Sequence, residues 1–157
     1  MKIKLLMIGK TVDSDLMKMI ENYRKRLTHY VNFETVIFPD IKKTKSLTAE
    51  QVKEKEAELL LSKLEQTDEV ILLDERGKTF TSVQFSRFLE ERLLYSAKNV
   101  TFVIGGVYGF SERVYERADS LFSLSAMTFS HQMIRLLFVE QLYRAMTIIK
   151  GEPYHHE

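Results

Sequence analysis

A glycine-rich turn is the first group of residues in this sequence that could serve chemistry. Gly105, Gly106 and Gly109 lie in the segment IGGVYG, which follows an apolar run and precedes a polar segment. Glycine lets a backbone approach a ligand closely, and ligands of open α/β sheets bind where strands end. The spacing GGxxG matches neither the dinucleotide fingerprint GxGxxG nor the phosphate-binding loop GxxxxGK[ST]. A tight turn without a ligand explains this loop about equally well.

A second candidate is the segment Ser123–Gln132, which has the sequence SLSAMTFSHQ. It is rich in small hydroxyl residues, and it separates a short apolar run from a long apolar helix. Free backbone N–H and C=O groups in such a segment could bind the edge of an adenine and a ribose. Taken alone, an ordinary loop whose Ser130 caps the next helix is the simpler interpretation.

The titratable side chains favour neither a metal site nor a cysteine nucleophile. The chain has no cysteine, which excludes disulfides and thiolate ligands and fits a reducing compartment. His131, His155 and His156 lie near the C-terminus, but without cysteines they make a weak metal pattern, and we predict no metal. Tyr154 could stack on an unpaired RNA base, although a frayed end is the simpler interpretation of the tail.

Length and charge limit the partners that the chain can have. With 157 residues, the chain fits one domain over 1–157, and its net charge is only +1. A protein that binds RNA through phosphates alone is usually far more basic, so an RNA contact must be local or made on a larger particle. A basic loop with Lys42, Lys43 and Lys45 is such a local concentration of charge. The sequence shows no signal peptide and no membrane-spanning run, so we expect a cytoplasmic protein.

Strands and helices alternate around these candidates. Apolar runs predict strands at 2–8, 33–38, 69–73, 100–104 and 119–124. Helices are expected from Asp13 or Ser14, from the capping boxes Thr48–Gln51 (through about residue 66) and Thr81–Gln84, from Ser111, and over 130–149. This alternation indicates an α/β fold with a mainly parallel sheet flanked by helices.

The last predicted helix is apolar on nearly every face, which is typical of a helix buried on all sides. Its charged residues argue against a membrane span. A terminal helix of a small domain is seldom enclosed by its own chain, so we infer a homodimer in which a second subunit covers it. The alternative is a central helix enclosed within one subunit.

Five stretches together resemble the SPOUT methyltransferases, and among them the ribosomal RNA large subunit methyltransferase H family, over essentially the whole chain. They are KIKLLMIGK, VKEKEAE, LLDERGK, FVIGGVYGF and SLSAMTFSHQMIRLLFVEQLYRAMTIIKGEPYH. The resemblance implies a deep C-terminal trefoil knot, which periodicity cannot show. It also implies a homodimer that binds S-adenosylmethionine at the knot and methylates N3 of a pseudouridine in 23S ribosomal RNA on assembled ribosomes.

Site residues follow from the resemblance by position. The family's cofactor contacts fall on Leu73, Gly105, Leu124, Ser125, Ala126, Met127, Thr128 and Phe129. Its candidates for handling RNA fall on Arg144, Tyr154 and His155, with an electrostatic role for Arg144 and proton handling for His155. Related tails often carry Arg or Lys after the Tyr-His pair, whereas this chain has His156.

Two other classes of protein remain open on the sequence. One is a non-catalytic RNA- or nucleotide-binding α/β module, which need not bind S-adenosylmethionine. The other is a Rossmann dehydrogenase, which the absence of GxGxxG after the first strand disfavours.

Overall fold

Five parallel strands form one sheet in the computed structural model, which describes residues 1–156. The strands are β1 Lys2–Ile8, β2 Asn32–Phe38, β3 Glu69–Thr79, β4 Val100–Ile104 and β5 Ser120–Ser123. The helices are α1 Ser14–Leu27, α2 Ala49–Ser62, α3 Ser82–Tyr95, α4 Glu112–Arg117 and α5 Met133–Ile149. The strand order is β2-β1-β4-β3-β5. The predicted α/β fold is confirmed, and the sheet is parallel throughout.

Helices cover both faces of the sheet. Successive residues of the central strands point to opposite faces, and both sets are apolar. Leu5 of β1 and Phe102 of β4 face a core that α1, α3 and α5 complete. Leu6 and Val103, the next residues along each strand, face a second core that α2 and α4 complete. Parallel sheets are buried on both faces because their crossover helices lie there.

Helix α5 packs between α1 and α3, so its own chain encloses much of it. At its beginning, the fully buried guanidinium of Arg135 donates to the carbonyl oxygens of Ile8, at 2.6 Å, and Gly9, at 2.7 Å. These bonds tie α5 to the carboxyl end of β1. Helix α5 is thus partly enclosed within one subunit, while Leu136, Leu137 and Ile148 remain only half-buried. The homodimer stays a prediction.

Several predicted boundaries were wrong by a few residues. The last helix begins at Met133 and not at Ser130, although the Ser130 hydroxyl accepts a hydrogen bond from the Met133 N–H at 3.1 Å. Helix α2 ends at Ser62, four residues before the expected end. The hydroxyl of Ser111 makes no capping bond and is buried without a partner. The fifth strand is shorter than predicted, Ser120–Ser123.

Strand β3 is longer than predicted, and it pairs with β5 both before and after an irregularity. Both Leu73 and Lys78 pair with Phe122, and the register shifts between them. Gly77 lies in this shift, where an added Cβ would be 2.5 Å from the backbone nitrogen of Phe122. Only glycine permits two backbones to cross so closely. The sequence pattern missed this extension because its charged residues do not read as a strand.

After β5 the chain returns across the sheet to β1. Gln132, just before α5, accepts a hydrogen bond from the Val12 N–H at 2.9 Å and donates to the Lys10 carbonyl at 3.1 Å. The segment from Leu124 to Gln132 therefore links the β5 edge to the β1 end. A threaded chain needs such a return; the knot itself stays a prediction. Within residues 1–156, no helix has the length and apolar content needed to cross a membrane.

Candidate functional site

A cavity of about 1300 Å³ lies at the carboxyl ends of β4 and β5 and beside the middle of β3, where its apolar part ends. Three segments form most of its wall: residues 73–76, 104–110 and 123–131. The first turns of α2 contribute Glu50 and Lys53, whose carboxylate and ammonium groups form an ion pair at 2.5 Å. This is the edge of a parallel sheet where ligands bind in α/β folds, and the volume suits a nucleoside-sized molecule.

The structure brings the predicted cofactor residues together in this cavity. Seven of the eight line its wall: Leu73, Gly105, Leu124, Ser125, Met127, Thr128 and Phe129. Ala126 lies within the same run but is not part of the wall. The three stretches are far apart in the sequence and meet only because β3 and β4 are neighbours and β5 pairs with β3.

The glycine turn is shaped by its own backbone. The Gly109 N–H donates to the Gly106 carbonyl at 3.1 Å, and Gly109 has a φ of 81°, which favours glycine. A Cβ added to Gly105 would be 3.0 Å from the ring of Phe110, which also lines the cavity. The turn and the cavity wall are thus one unit, and a side chain at Gly105 would move Phe110.

The segment after β5 is held mainly by its own hydroxyl groups. The Ser123 hydroxyl donates to the Ser125 carbonyl at 2.9 Å, and the Ser125 hydroxyl accepts from the Met127 N–H at 3.0 Å. The side chains of Met127 and Phe129 are 75% and 40% exposed at the cavity rim. Large apolar side chains grouped around a cavity mark a surface that a ligand or partner covers.

A polar wall of the cavity was missed by sequence reasoning. The Asp74 carboxylate accepts hydrogen bonds from the Tyr115 hydroxyl and, at 2.8 Å, from the Arg76 N–H. The Arg76 guanidinium lies over the Tyr115 ring, 4.7 Å from its centre. Burial alone would raise the pKa of Asp74, but the hydrogen bonds from Tyr115 and Arg76 outweigh it and lower the pKa. A carboxylate kept ionised here can accept hydrogen bonds from ribose hydroxyls.

The buried carboxyl group of Glu56 packs against the glycine turn. Glu56 of α2 is 7% exposed, and a Cβ added to Gly106 would be 2.3 Å from its Oε2 atom. Burial, with a smaller contribution from the charge of Asp40, raises the pKa of Glu56 to about 7. The group is therefore partly ionised at neutral pH.

We expect Glu56→Gln to stabilise the protein at alkaline pH. A carboxyl pKa that rises from 4.5 to about 7 on folding makes the wild type lose stability as the pH rises through that interval. The glutamine variant should therefore gain about 2–3 kcal/mol at pH 8 and show little gain at pH 4.5. Urea unfolding at four pH values measures this, with the exposed Glu58→Gln as control. An equal effect of both variants at every pH would contradict the assignment.

The three residues predicted to handle RNA also come together. The Arg144 guanidinium donates to Glu140 at 2.5 Å and contacts the Nδ1 atom of His155 at 3.1 Å. It lies over the Tyr154 ring, 4.9 Å from the centre, and the Tyr154 hydroxyl donates to Glu140 at 3.1 Å. The tail therefore folds back on α5. We name the group of Glu140, Arg144, Tyr154 and His155 the tail cluster.

Two members of the tail cluster, Arg144 and Tyr154, have shifted pKa values. The hydrogen bond with Glu140 raises the pKa of Arg144, so its positive charge is secure. Burial, then the hydrogen bond with Tyr23, raises the pKa of Tyr154, which stays a neutral phenol. Since Arg144 has no acceptor, the Nδ1 atom of His155 must accept, which places the proton of the neutral ring on Nε2. As arranged, Arg144 and His155 both present donors.

The tail cluster does not line the cavity of its own chain. Ile134 of α5 lies on the cavity wall, and Arg144 follows ten positions later, about 15 Å along the helix axis. One subunit therefore carries a cavity and a polar cluster at different ends of one helix.

Comparison with known proteins gives a consistent result over the full chain. A family model described as "Predicted SPOUT methyltransferase" matches residues 1–155. The ribosomal RNA large subunit methyltransferase H of Flavobacterium johnsoniae is 56% identical over 157 residues and covers 100% of both chains. That of Christiangramia forsetii is 58% identical over 156 residues, 99% of each chain. A solved probable methylase family protein from Haemophilus influenzae matches with a TM-score of 0.49 and 12% identity, over 99% of this chain and 70% of that chain, which is too distant to carry an argument.

Proposed function

Because the chain belongs to the SPOUT methyltransferase family, and within it to the family of ribosomal RNA large subunit methyltransferase H, we propose that it methylates large-subunit ribosomal RNA with S-adenosylmethionine as the donor. Full-length identity above 50% to curated relatives carries this proposal. We further propose that one domain over 1–157 does so, and that the methylated atom is N3 of a pseudouridine in 23S RNA on assembled ribosomes.

The cavity fits S-adenosylmethionine in size and in chemistry. Leu73, Ile104 and Leu124 offer apolar surface for an adenine, and Gly105 lets the backbone come close to it. The ionised Asp74 suits the ribose hydroxyls and the positive charge of a sulfonium. We propose that these residues, with Ser125, Met127, Thr128 and Phe129, hold the cofactor. We propose that Ala126, which lies in the same run but not on the wall, contributes through its backbone.

The reaction needs positioning more than acid or base strength. When bound, the sulfonium supplies an activated methyl group, so no metal is required. The chain's own residues must orient the nucleophilic nitrogen and exclude water. N3 of a uridine-type base carries a proton that must be lost to solvent before the base is enclosed, and the resulting negative charge spreads onto the carbonyl oxygens. We propose that Arg144 and the Nε2–H of His155 donate to this anion.

This assignment changes the role first expected of His155. A proton acceptor needs a free lone pair, and the only lone pair of the neutral ring faces Arg144. We therefore propose that His155 stabilises the anion as a donor and does not remove the proton. Tyr154, whose hydroxyl already donates to Glu140, positions Arg144 through its ring.

We propose a homodimer, and the separation of the cavity and the tail cluster supports it. About 15 Å of helix lies between Ile134 on the cavity wall and Arg144, so a second copy offers Arg144 a route to a methyl donor. We propose that the tail cluster of one subunit faces the cavity of its partner. The exposed apolar residues Val12, Met127 and Met133, on and beside the cavity rim, are suitable contacts for that interface.

Transfer of labelled methyl to purified ribosomes that lack the modification tests the function. We expect incorporation into the large-subunit RNA at one nucleotide, identified by digestion and mass spectrometry. Free pseudouridine-containing RNA should be a poorer substrate. Ribosome binding without any incorporation would instead favour the non-catalytic binding module.

A further inference from the structure

The loop between β2 and α2 carries the densest positive charge at the cavity edge of the sheet. Residues 39–48 contain Lys42, Lys43 and Lys45 against one acidic residue, Asp40, which gives a net charge of +2. The whole chain has a net charge of only +1. All three lysines are exposed, and none forms an ion pair with another residue of the described chain.

The loop has a defined conformation that presents these side chains. Residues Thr44–Ser46 form a 3₁₀ turn, in which the Lys43 carbonyl accepts from the Ser46 N–H at 3.3 Å and from its hydroxyl at 3.0 Å. Lys43 itself has a φ of 59°, and it is the one non-glycine residue of the described chain with a positive φ. This left-handed backbone conformation is uncommon for a residue with a side chain.

The position of the loop relates it to the cavity. Five positions separate Lys45 from Glu50, which lines the cavity, so their Cα atoms lie within about 17 Å. The Thr48–Gln51 capping box already occupies the N–H groups of Thr48 and Gln51, so the lysine ammonium groups are the positive charges that this loop offers to an anion. The lysine ammonium groups can therefore reach phosphates that lie a few nucleotides from a base bound in the cavity.

We propose that Lys42, Lys43 and Lys45 form a phosphate-binding surface that holds the ribosomal RNA backbone while the target base enters the site. The inference rests on the proposed function and extends it, because it assigns an RNA contact outside the cavity and the tail cluster. It also accounts for how a nearly neutral chain binds a polyanion: the charge is local. Flexible lysines contact phosphates as point charges and read no sequence.

Binding to unmodified ribosomes at several salt concentrations tests the proposal. The variant Lys42→Ala/Lys45→Ala should weaken binding about tenfold or more near 0.1 M salt, and should reduce the slope of log K against log salt by about 2. The matched control, Lys63→Ala/Lys98→Ala, removes two exposed lysines that lie near the amino ends of β3 and β4, at the opposite edge of the sheet. It should leave binding and slope unchanged. Calorimetry with S-adenosylmethionine should give the same affinity for both variants.

A second variant separates backbone strain from charge. Lys43→Gly relieves the strain at a positive φ, so it should preserve or raise the unfolding midpoint while it weakens ribosome binding. Equal losses in the test and control pairs would overturn the proposal, as would a weaker affinity with an unchanged salt slope. Normal ribosome binding by the wild type without methyl transfer would overturn the proposed function and leave this test intact. Absence of any ribosome binding would overturn both.

Discussion

Gly105→Val is expected to reduce affinity for S-adenosylmethionine by about 100-fold or more. A Cβ at this position would be 3.0 Å from the Phe110 ring, and the two methyl groups of valine would force that ring or the glycine turn to move. Both form the cavity wall, so the change removes the close contact that we propose between the Gly105 backbone and the cofactor. Isothermal titration calorimetry with S-adenosylmethionine measures the loss directly.

Gly105→Ala supplies the graded comparison. Its single methyl group makes the same first contact with less bulk, so its affinity should lie between those of the wild type and the valine variant. Thermal unfolding of all three proteins shows whether the fold persists. A valine variant that binds the cofactor normally would place the cofactor site elsewhere in the molecule.

Arg144→Ala is expected to reduce methyl transfer to ribosomes by about 100-fold, with cofactor affinity changed less than about twofold. The guanidinium provides the fixed positive charge of the tail cluster, and loss of one donor that stabilises a developing anion has an effect of this size. Single-turnover transfer of labelled methyl gives the rate, and calorimetry gives the affinity. Arg87→Ala, at an exposed arginine of α3, is the control and should retain full activity.

Mixing two inactive variants tests where Arg144 acts. If the tail cluster serves the partner's cavity, a heterodimer of the Gly105→Val and Arg144→Ala chains has one site with both defects and one site with neither. An equilibrated mixture should then recover up to about a quarter of wild-type activity. No recovery, or a monomeric mass in sedimentation at micromolar concentration, would contradict the composite site.

The elements of the fold were predictable where periodicity is strong. The capping boxes at Thr48 and Thr81 mark helix starts that the structure reproduces, because each satisfies two backbone donors locally. Strand β3 beyond Leu73 was not predictable, since Lys78 and Thr79 pair with β5 only after a register shift in which Gly77 comes close to the Phe122 backbone. Such a tertiary backbone contact leaves little trace in the local sequence pattern.

Site residues could be predicted where the local sequence carries a signal, and not where only a long-range side-chain contact defines them. The glycine turn and the segment after β5 carry signals in their composition, and the structure places them on one cavity wall. Asp74 directly follows the apolar residues of β3, so its position at a strand end could have identified it. Tyr115 could not be identified, because its link with Asp74 spans 41 residues and needs the fold. The tautomer of His155 likewise follows only from its contact with Arg144.

The bond network of Arg135 also has a consequence for how the molecule is made. The first strand obtains partners for its last carbonyls from a side chain near the end of the chain, and the same stretch closes the cavity. A nascent chain that has not yet been extended through Arg135 therefore lacks both of these bonds and part of the cavity wall. The cavity is complete only when nearly the whole chain has been synthesised.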